Sequence, residues 1–199
     1  TAVGWPRSAT FRTMDLVGLD ILAHVVANLK ENVRDERSEL AVPDFFQKML
    51  ERKWLGDKTK GGFYKKQKGP EGDVRLGLDW KTLEYRPAER APFPALEALR
   101  SVEDPAARLR RLLTSGDRAA ALAWRLLGGT LRYAAARVPE IADGPTAVDQ
   151  AMRWGFGWDL PPFAAWDALG VEEVARRLTA EGAAIPPLVE AVLGAKPRA

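Results

Sequence analysis

Proline and glycine divide the second half of this chain into short apolar stretches, proline at the start and glycine at the end. Proline lacks the N–H that the first helical turn leaves unbonded anyway, and glycine tolerates the left-handed backbone that follows a last turn. Asp104-Pro105 therefore predicts a helix start, with Asp104 as the cap. Asp117 to Arg137 is the longest periodic stretch and is expected to stop at Val138-Pro139. Gly144-Pro145 opens the next, through Val148, Met152 and Trp154; two more run from Val171 to Glu181 before Gly182 and from Pro186 to Leu193 before Gly194. The expected fold class is all-α, mainly helical.

The first half is less uniform. Thr13 to Lys30 carries Leu16, Leu19, Ala23, Val26 and Ala27 at helical spacing, with Met14, Ile21, Leu22 and Val25 beside them. A stripe that wide predicts one largely buried helix. Asp15 and Asp20 inside it are expected to do capping or first-turn work. Val42-Pro43-Asp44 opens a second short helix with Phe45, Phe46, Met49 and Leu50 inward. Three glycines within Gly56 to Gly62 predict a tight turn, after which Phe63 and Tyr64 restart an extended segment. Leu76 to Tyr85 predicts a small β-hairpin around Asp79-Trp80-Lys81-Thr82, and Pro87, Pro92 and Pro94 mark a linker. The expected divisions are residues 1–70, 71–115 and 116–199.

Composition excludes several chemistries. Among 199 residues there is no cysteine, which removes disulfides, thiolate metal sites and cysteine nucleophiles and fits a reducing compartment. The apolar stretches are too short and too interrupted to cross a bilayer. Thr1 to Thr10 has neither a basic start nor the apolar core of a signal peptide. The expectation is a processed or truncated cytoplasmic chain without a membrane partner. Net charge is +3 and the pI near 9.3, but basic and acidic residues interleave, as from Lys30 to Glu39, so no nucleic-acid partner is expected. His24, the only histidine, lies within an apolar helix and reads as structural.

The chain also resembles itself. Phe11 to Leu19 (FRTMDLVGL) runs parallel to Phe163 to Val171 (FAAWDALGV), and Gly4-Trp5 pairs with Gly157-Trp158 one residue out of step. Both copies have an Asp-x-x-Gly-apolar step into a helix. The physical reading is that Gly18 and Gly170 permit close helix approach, while Asp15 and Asp167 satisfy nearby backbone N–H groups.

Gly4-Trp5-Pro6-Arg7-Ser8-Ala9-Thr10-Phe11-Arg12, then Asp15-Leu16-Val17-Gly18-Leu19-Asp20, resembles the carboxy-terminal domain of 3-hydroxyacyl-CoA dehydrogenases. The loop Gly56-Asp57-Lys58-Thr59-Lys60-Gly61-Gly62-Phe63-Tyr64 is similar to a second motif of that family, in the right order. Val138 to Asp143, Asp149 to Met152, Trp154 to Trp158 and Pro162 to Gly170 resemble the degenerate second copy in longer, multifunctional members. Pro161 departs from a glycine often found there. The resemblance covers roughly residues 1–66 and 118–175.

That resemblance implies tandem helical modules like the C-terminal domain of 6-phosphogluconate dehydrogenase, with a small β-hairpin between them. It implies part of an enzyme of fatty-acid β-oxidation that oxidises 3-hydroxyacyl-CoA with NAD. The catalytic histidine and glutamate would lie in an N-terminal Rossmann domain, whose Gly-x-Gly-x-x-Gly turn does not occur in this chain. No catalytic or metal-binding residue is therefore expected here, and the chain alone should be inactive. The implied partners are that Rossmann domain, an acyl-CoA and a second copy in a homodimer. The resemblance gives one cofactor contact, Lys58 toward NAD. Tyr133-Ala134-Ala135-Ala136-Arg137 has alanine where a substrate-positioning Asn would be expected, and alanine cannot donate. The alternative is a non-enzymatic helical scaffold using Trp5, Trp124, Trp154, Trp158 and Trp166 as interface anchors.

Overall fold

In the computed structural model, the described residues are 2–6, 10–34, 41–70, 72–88 and 91–195. Residues 7–9 of the first motif and 35–39 of the charged run lie outside them. The chain forms two compact units, Ser8–Ala91 and Thr1–Arg7 with Pro92–Ala199. The sequence divisions drawn at 70 and 115 thus separate residues that the structure groups. The sheet goes with the first helices because its first strand continues straight out of the glycine turn.

In the unit Ser8–Ala91, α1 (Thr10–Val17) and α2 (Leu19–Asn32) replace the single helix expected over Thr13 to Lys30. Gly18 breaks it, at φ 106° and ψ 132°, a conformation that L side chains rarely adopt. A β-carbon there would also lie 2.8 Å from Lys58 Nζ. Nor is α2 largely buried: Leu19 is inside, but Ile21 and Val25 are 45% and 47% exposed. Its stripe is wider than α3 (Asp44–Glu51) can cover. Helix α3 supplies Phe46 and Met49 to a core with Leu19 and Phe63. His24 stands exposed on α2.

The expected hairpin is one half of a three-stranded antiparallel sheet, β1 (Tyr64–Gly69), β2 (Gly72–Leu78) and β3 (Tyr85–Pro87), in that order. In β1–β2, Tyr64 faces Gly77 and Lys66 faces Arg75. Asp79 Oδ1 accepts the Lys81 N–H at 2.9 Å and shapes the second turn.

The other unit is helical: α4 (Pro94–Ala98), α5 (Pro105–Thr114), α6 (Arg118–Ile141), α7 (Pro145–Phe156), α8 (Pro162–Leu169), α9 (Val171–Ala180) and α10 (Pro187–Gly194). Leu109 of α5, Leu127 and Leu131 of α6, Ala165 and Trp166 of α8 and Val174 of α9 share its core. Helix α6 runs through Pro139, where a stop was expected. So close to the helix end proline removes a single ladder bond, and Val138 beside it is buried. Asp104 caps α5 by accepting the Ala107 N–H at 2.7 Å, as its sequence position predicts.

The tryptophans divide. Trp124 and Trp166 are core, 5% and 3% exposed, and Trp5 packs on Trp158 with ring centroids 4.8 Å apart. Trp154 is 81% exposed. A tryptophan surface made from all five does not form, because helices α6 and α8 turn Trp124 and Trp166 inward.

Gly170, at φ 87° and ψ 123°, separates α8 from α9 much as Gly18 separates α1 from α2. The carboxylates are used differently. Asp167 is exposed, and it is Asp149 of α7 that accepts the Phe163 and Ala164 N–H groups, at 2.9 and 2.8 Å. The α8 turn aims Asp167 at solvent, so the backbone role expected for it falls to Asp149.

Asp117 caps α6 through the Ala119 N–H at 2.8 Å and holds α4 through the Ala95 N–H at 3.1 Å. Asp117→Ala should lower the urea midpoint of unfolding, and Asp117→Asn should lower it less. Equal losses for the two would show that the cap is not what holds α4 to α6.

Candidate functional site

The two motifs of the first half meet across α1, the start of α2 and the turn Gly56–Phe63. Three contacts join them. Asp15, buried on α1, accepts the Phe63 N–H at 2.8 Å and the Tyr64 N–H at 2.9 Å. Arg12 grips Asp57 bidentately, both distances 2.6 Å. Lys58 donates to both oxygens of Asp20, at 2.5 and 2.7 Å.

Glycine makes the approach possible. A β-carbon on Gly56, at φ 105°, or on Gly62 would overlap Asp15. Between them Asp57–Thr59 forms one 3-10 turn, and Gly56 bridges to Gly61. Thr59 Oγ1 accepts the Leu55 N–H at 2.9 Å. Within the turn, the N–H groups of Gly56, Thr59, Lys60 and Gly61 are bonded to turn carbonyls.

Burial pushes the Asp15 carboxyl above its ordinary range, against the pull of the two backbone N–H groups. Tyr85, which donates to the Gly62 carbonyl at 2.7 Å, is pushed up to about 12, by burial first and then by the Asp15 charge. The Arg12 guanidinium holds Asp57 below the usual carboxylate range, and the Lys58 ammonium does the same for Asp20.

Two concavities flank this junction. One is an apolar groove of about 250 Å³ lined by Phe11, Met14, Leu22, Val26, Phe45 and Phe46. The other is a cleft of about 440 Å³ lined by Arg12, Lys60, Lys66 and Arg75, with Tyr64 and Asp57. Sequence reading missed the cleft, because Lys65-Lys66-Gln67-Lys68 gains meaning only once β1 is paired with Arg75 in β2.

Lys58 sits on this junction as an exposed ammonium paired with Asp20. With two of its three donors on that carboxylate, one remains for another oxygen. Phe63 packs in the core. On α6, Ala134 and Ala135 are buried and offer no donor. Among the described residues there is no group of three His, Cys, Asp or Glu able to hold a metal. No described helix is long and apolar enough to cross a membrane.

Residues 1–66 match the 3-hydroxyacyl-CoA dehydrogenase C-terminal domain. Over 192 residues, 96% of this chain and 24% of the relative, it is 43% identical to a Bacillus subtilis protein named "Probable 3-hydroxyacyl-CoA dehydrogenase". A Deinococcus radiodurans protein of the same name is 36% identical over 93 residues, 47% of this chain and 27% of that protein. The chain therefore spans about a quarter of the length of these curated relatives. Its fold is similar to that of a crystal structure of 3-hydroxybutyryl-CoA dehydrogenase from Escherichia coli. The TM-score is 0.56 at 16% identity, covering 96% of this chain and 52% of that one. The knot of contacts around Asp15 lies within the matched residues.

Exposed pairs bring a pH dependence whose sign is fixed. The stabilisation from Asp57 and Asp20 is complete above the ordinary carboxylate pKa and is lost as pH falls through their lowered values; Asp15, with its raised pKa, works the other way. Asp57→Asn should therefore flatten the rise of the urea midpoint as pH climbs toward the ordinary carboxylate pKa of about 4. An unchanged slope would mean that the Arg12–Asp57 pair is not closed in solution.

Proposed function

We propose that this chain is the substrate-groove and dimerisation part of an NAD-dependent 3-hydroxyacyl-CoA dehydrogenase of fatty-acid β-oxidation. The apolar groove between α1, α2 and α3 carries the reading. An acyl chain is an apolar ligand, and a groove walled by Phe11, Met14, Leu22, Val26 and Phe45 gains by covering it. The exposed Leu16, Val17, Ile21 and Val25 on α1 and α2 support a surface covered by a second copy or by another part of the same protein.

NAD supplies the hydride acceptor when bound. A Rossmann domain of the same protein would hold most of it, and the Bacillus subtilis relative, about four times as long as this chain, leaves room for one. The proposed task of Lys58 is one contact: the N–H that Asp20 leaves over meets a phosphate or ribose oxygen. The only histidine, His24, has no place in proton abstraction in this reading, and the chain by itself is inactive; the lack of cysteine supports a reducing, cytoplasmic place. The likeness of the α1–Gly18–α2 and α8–Gly170–α9 steps supports a duplicated module whose second copy has lost its substrate contacts.

The test uses the full-length gene product. Val26→Asp puts a charge in the groove wall and should raise KM for a sixteen-carbon 3-hydroxyacyl-CoA about tenfold, equivalent to ~1.4 kcal/mol, leaving the four-carbon substrate nearly unchanged. Equal effects on both would remove the groove from the acyl path. Lys58→Ala should raise KM for NAD with kcat little changed; an unaltered KM would leave Lys58 as the partner of Asp20 alone.

A further inference from the structure

The cationic cleft has no part in the reading above. Arg12, Lys60, Lys66 and Arg75 line it, and the one carboxylate among its lining residues, Asp57, is already held bidentately by Arg12. Among the described residues no ion pair reaches Lys60, Lys66 or Arg75. The Arg75 guanidinium lies 4.0 Å from the centroid of the Tyr64 ring, which fixes its plane at the cleft wall.

The register sharpens the point. Lys66 and Arg75 are direct partners across β1 and β2, so their side chains leave the same face of the sheet. Like charges directly opposite each other destabilise an antiparallel pair. Within the fold the Asp57 charge acts on both and the Tyr64 ring on Arg75, but neither cation has a carboxylate in direct contact. An anion seated between the two would turn that repulsion into a clamp, with the Arg75 fork giving two parallel donors and Lys60 and Lys66 supplying point charges.

We propose that the cleft between the Asp57–Thr59 turn and the β1–β2 face binds the diphosphate group of a small nucleotide-type ligand. Five cations line the concave site, Lys65 among them, and suit a group carrying two or more negative charges. They suit a flat duplex less well, because the charge is gathered into a pocket and does not run along a face. CoA and NAD both contain a diphosphate, and the cleft's chemistry fits the shared group.

The experiment is calorimetric titration of the chain with inorganic pyrophosphate at low salt, repeated with CoA and with NAD. Wild-type protein should bind pyrophosphate, and affinity should fall as salt rises. The double variant Lys66→Gln/Arg75→Gln, at exposed strand positions, should keep its fold and lose at least tenfold in affinity. Asp57→Asn frees Arg12 and removes the competing carboxylate, so it should tighten binding severalfold. That opposite response separates a site from general damage. Competition against pyrophosphate then tells the sources apart: displacement by CoA and not NAD assigns the cleft to CoA, and the reverse to the dinucleotide. Absence of pyrophosphate binding, equal affinity in the double variant, or weakening by Asp57→Asn would each overturn the proposal. So would retardation of duplex DNA without pyrophosphate binding. None of these readouts needs turnover, so a failed cleft and a failed dehydrogenase reading give different results.

Discussion

A single buried carboxylate organises the unit Ser8–Ala91. Asp15 is the only charged side chain in the described interior, and it is held there by two backbone N–H groups at the start of β1. Hydrogen bonds to a charged group contribute roughly 1.5–3 kcal/mol each, and removing a buried acceptor leaves both donors unsatisfied. The burial that raises its pKa is the cost of the arrangement. Its return is position: the glycine turn can approach α1 in only one way, and the sheet leaves that turn in one direction. A side chain on Gly62 would overlap the Asp15 carboxylate, and one on Gly56 would overlap the Asp15 backbone.

The surrounding ion pairs follow from the same placement. Once the turn is anchored, Asp57 meets Arg12 and Lys58 meets Asp20 on either side of it. Exposed pairs of this kind contribute little to stability by themselves. Their effect is to assign partners: the pairing of Lys58 leaves it one donor, and the pairing of Arg12 takes up the cleft's carboxylate. The concavities beside α1 therefore differ in character, one apolar and one cationic, though a few residues separate Phe11 from Arg12.

The helical unit is built on different terms. Its core is aliphatic and aromatic, with Trp166 donating to the Leu131 carbonyl at 3.2 Å and Trp124 to Glu181 at 2.6 Å. Buried tryptophans of this sort need a partner for the ring N–H, and each has one. Where the first unit spends a buried charge on fixing a turn, this one spends aspartates at helix starts, Asp104, Asp117 and Asp149, close to solvent.

Local chemistry was legible in the residues alone: helix starts at Asp104-Pro105 and Gly144-Pro145, the glycine turn before Phe63, the stripe of α3 and the paired motifs that point to the dehydrogenase C-terminal domain. These are short-range effects of backbone freedom and apolar spacing, which a sequence carries directly. Three matters were settled only by tertiary structure. At the break after Gly18 the Leu19 N–H turns to the Leu55 carbonyl, distant in the chain, at 3.1 Å; α6 continues through Pro139 with Val138 buried beside it; and the backbone partner of the second step proved to be Asp149, where sequence parallel had pointed to Asp167. The cationic cleft belongs with these. Its charges come from α1, the turn, β1 and β2, and no spacing rule joins residues 12, 60, 66 and 75, because only strand register and a buried carboxylate bring them to one place.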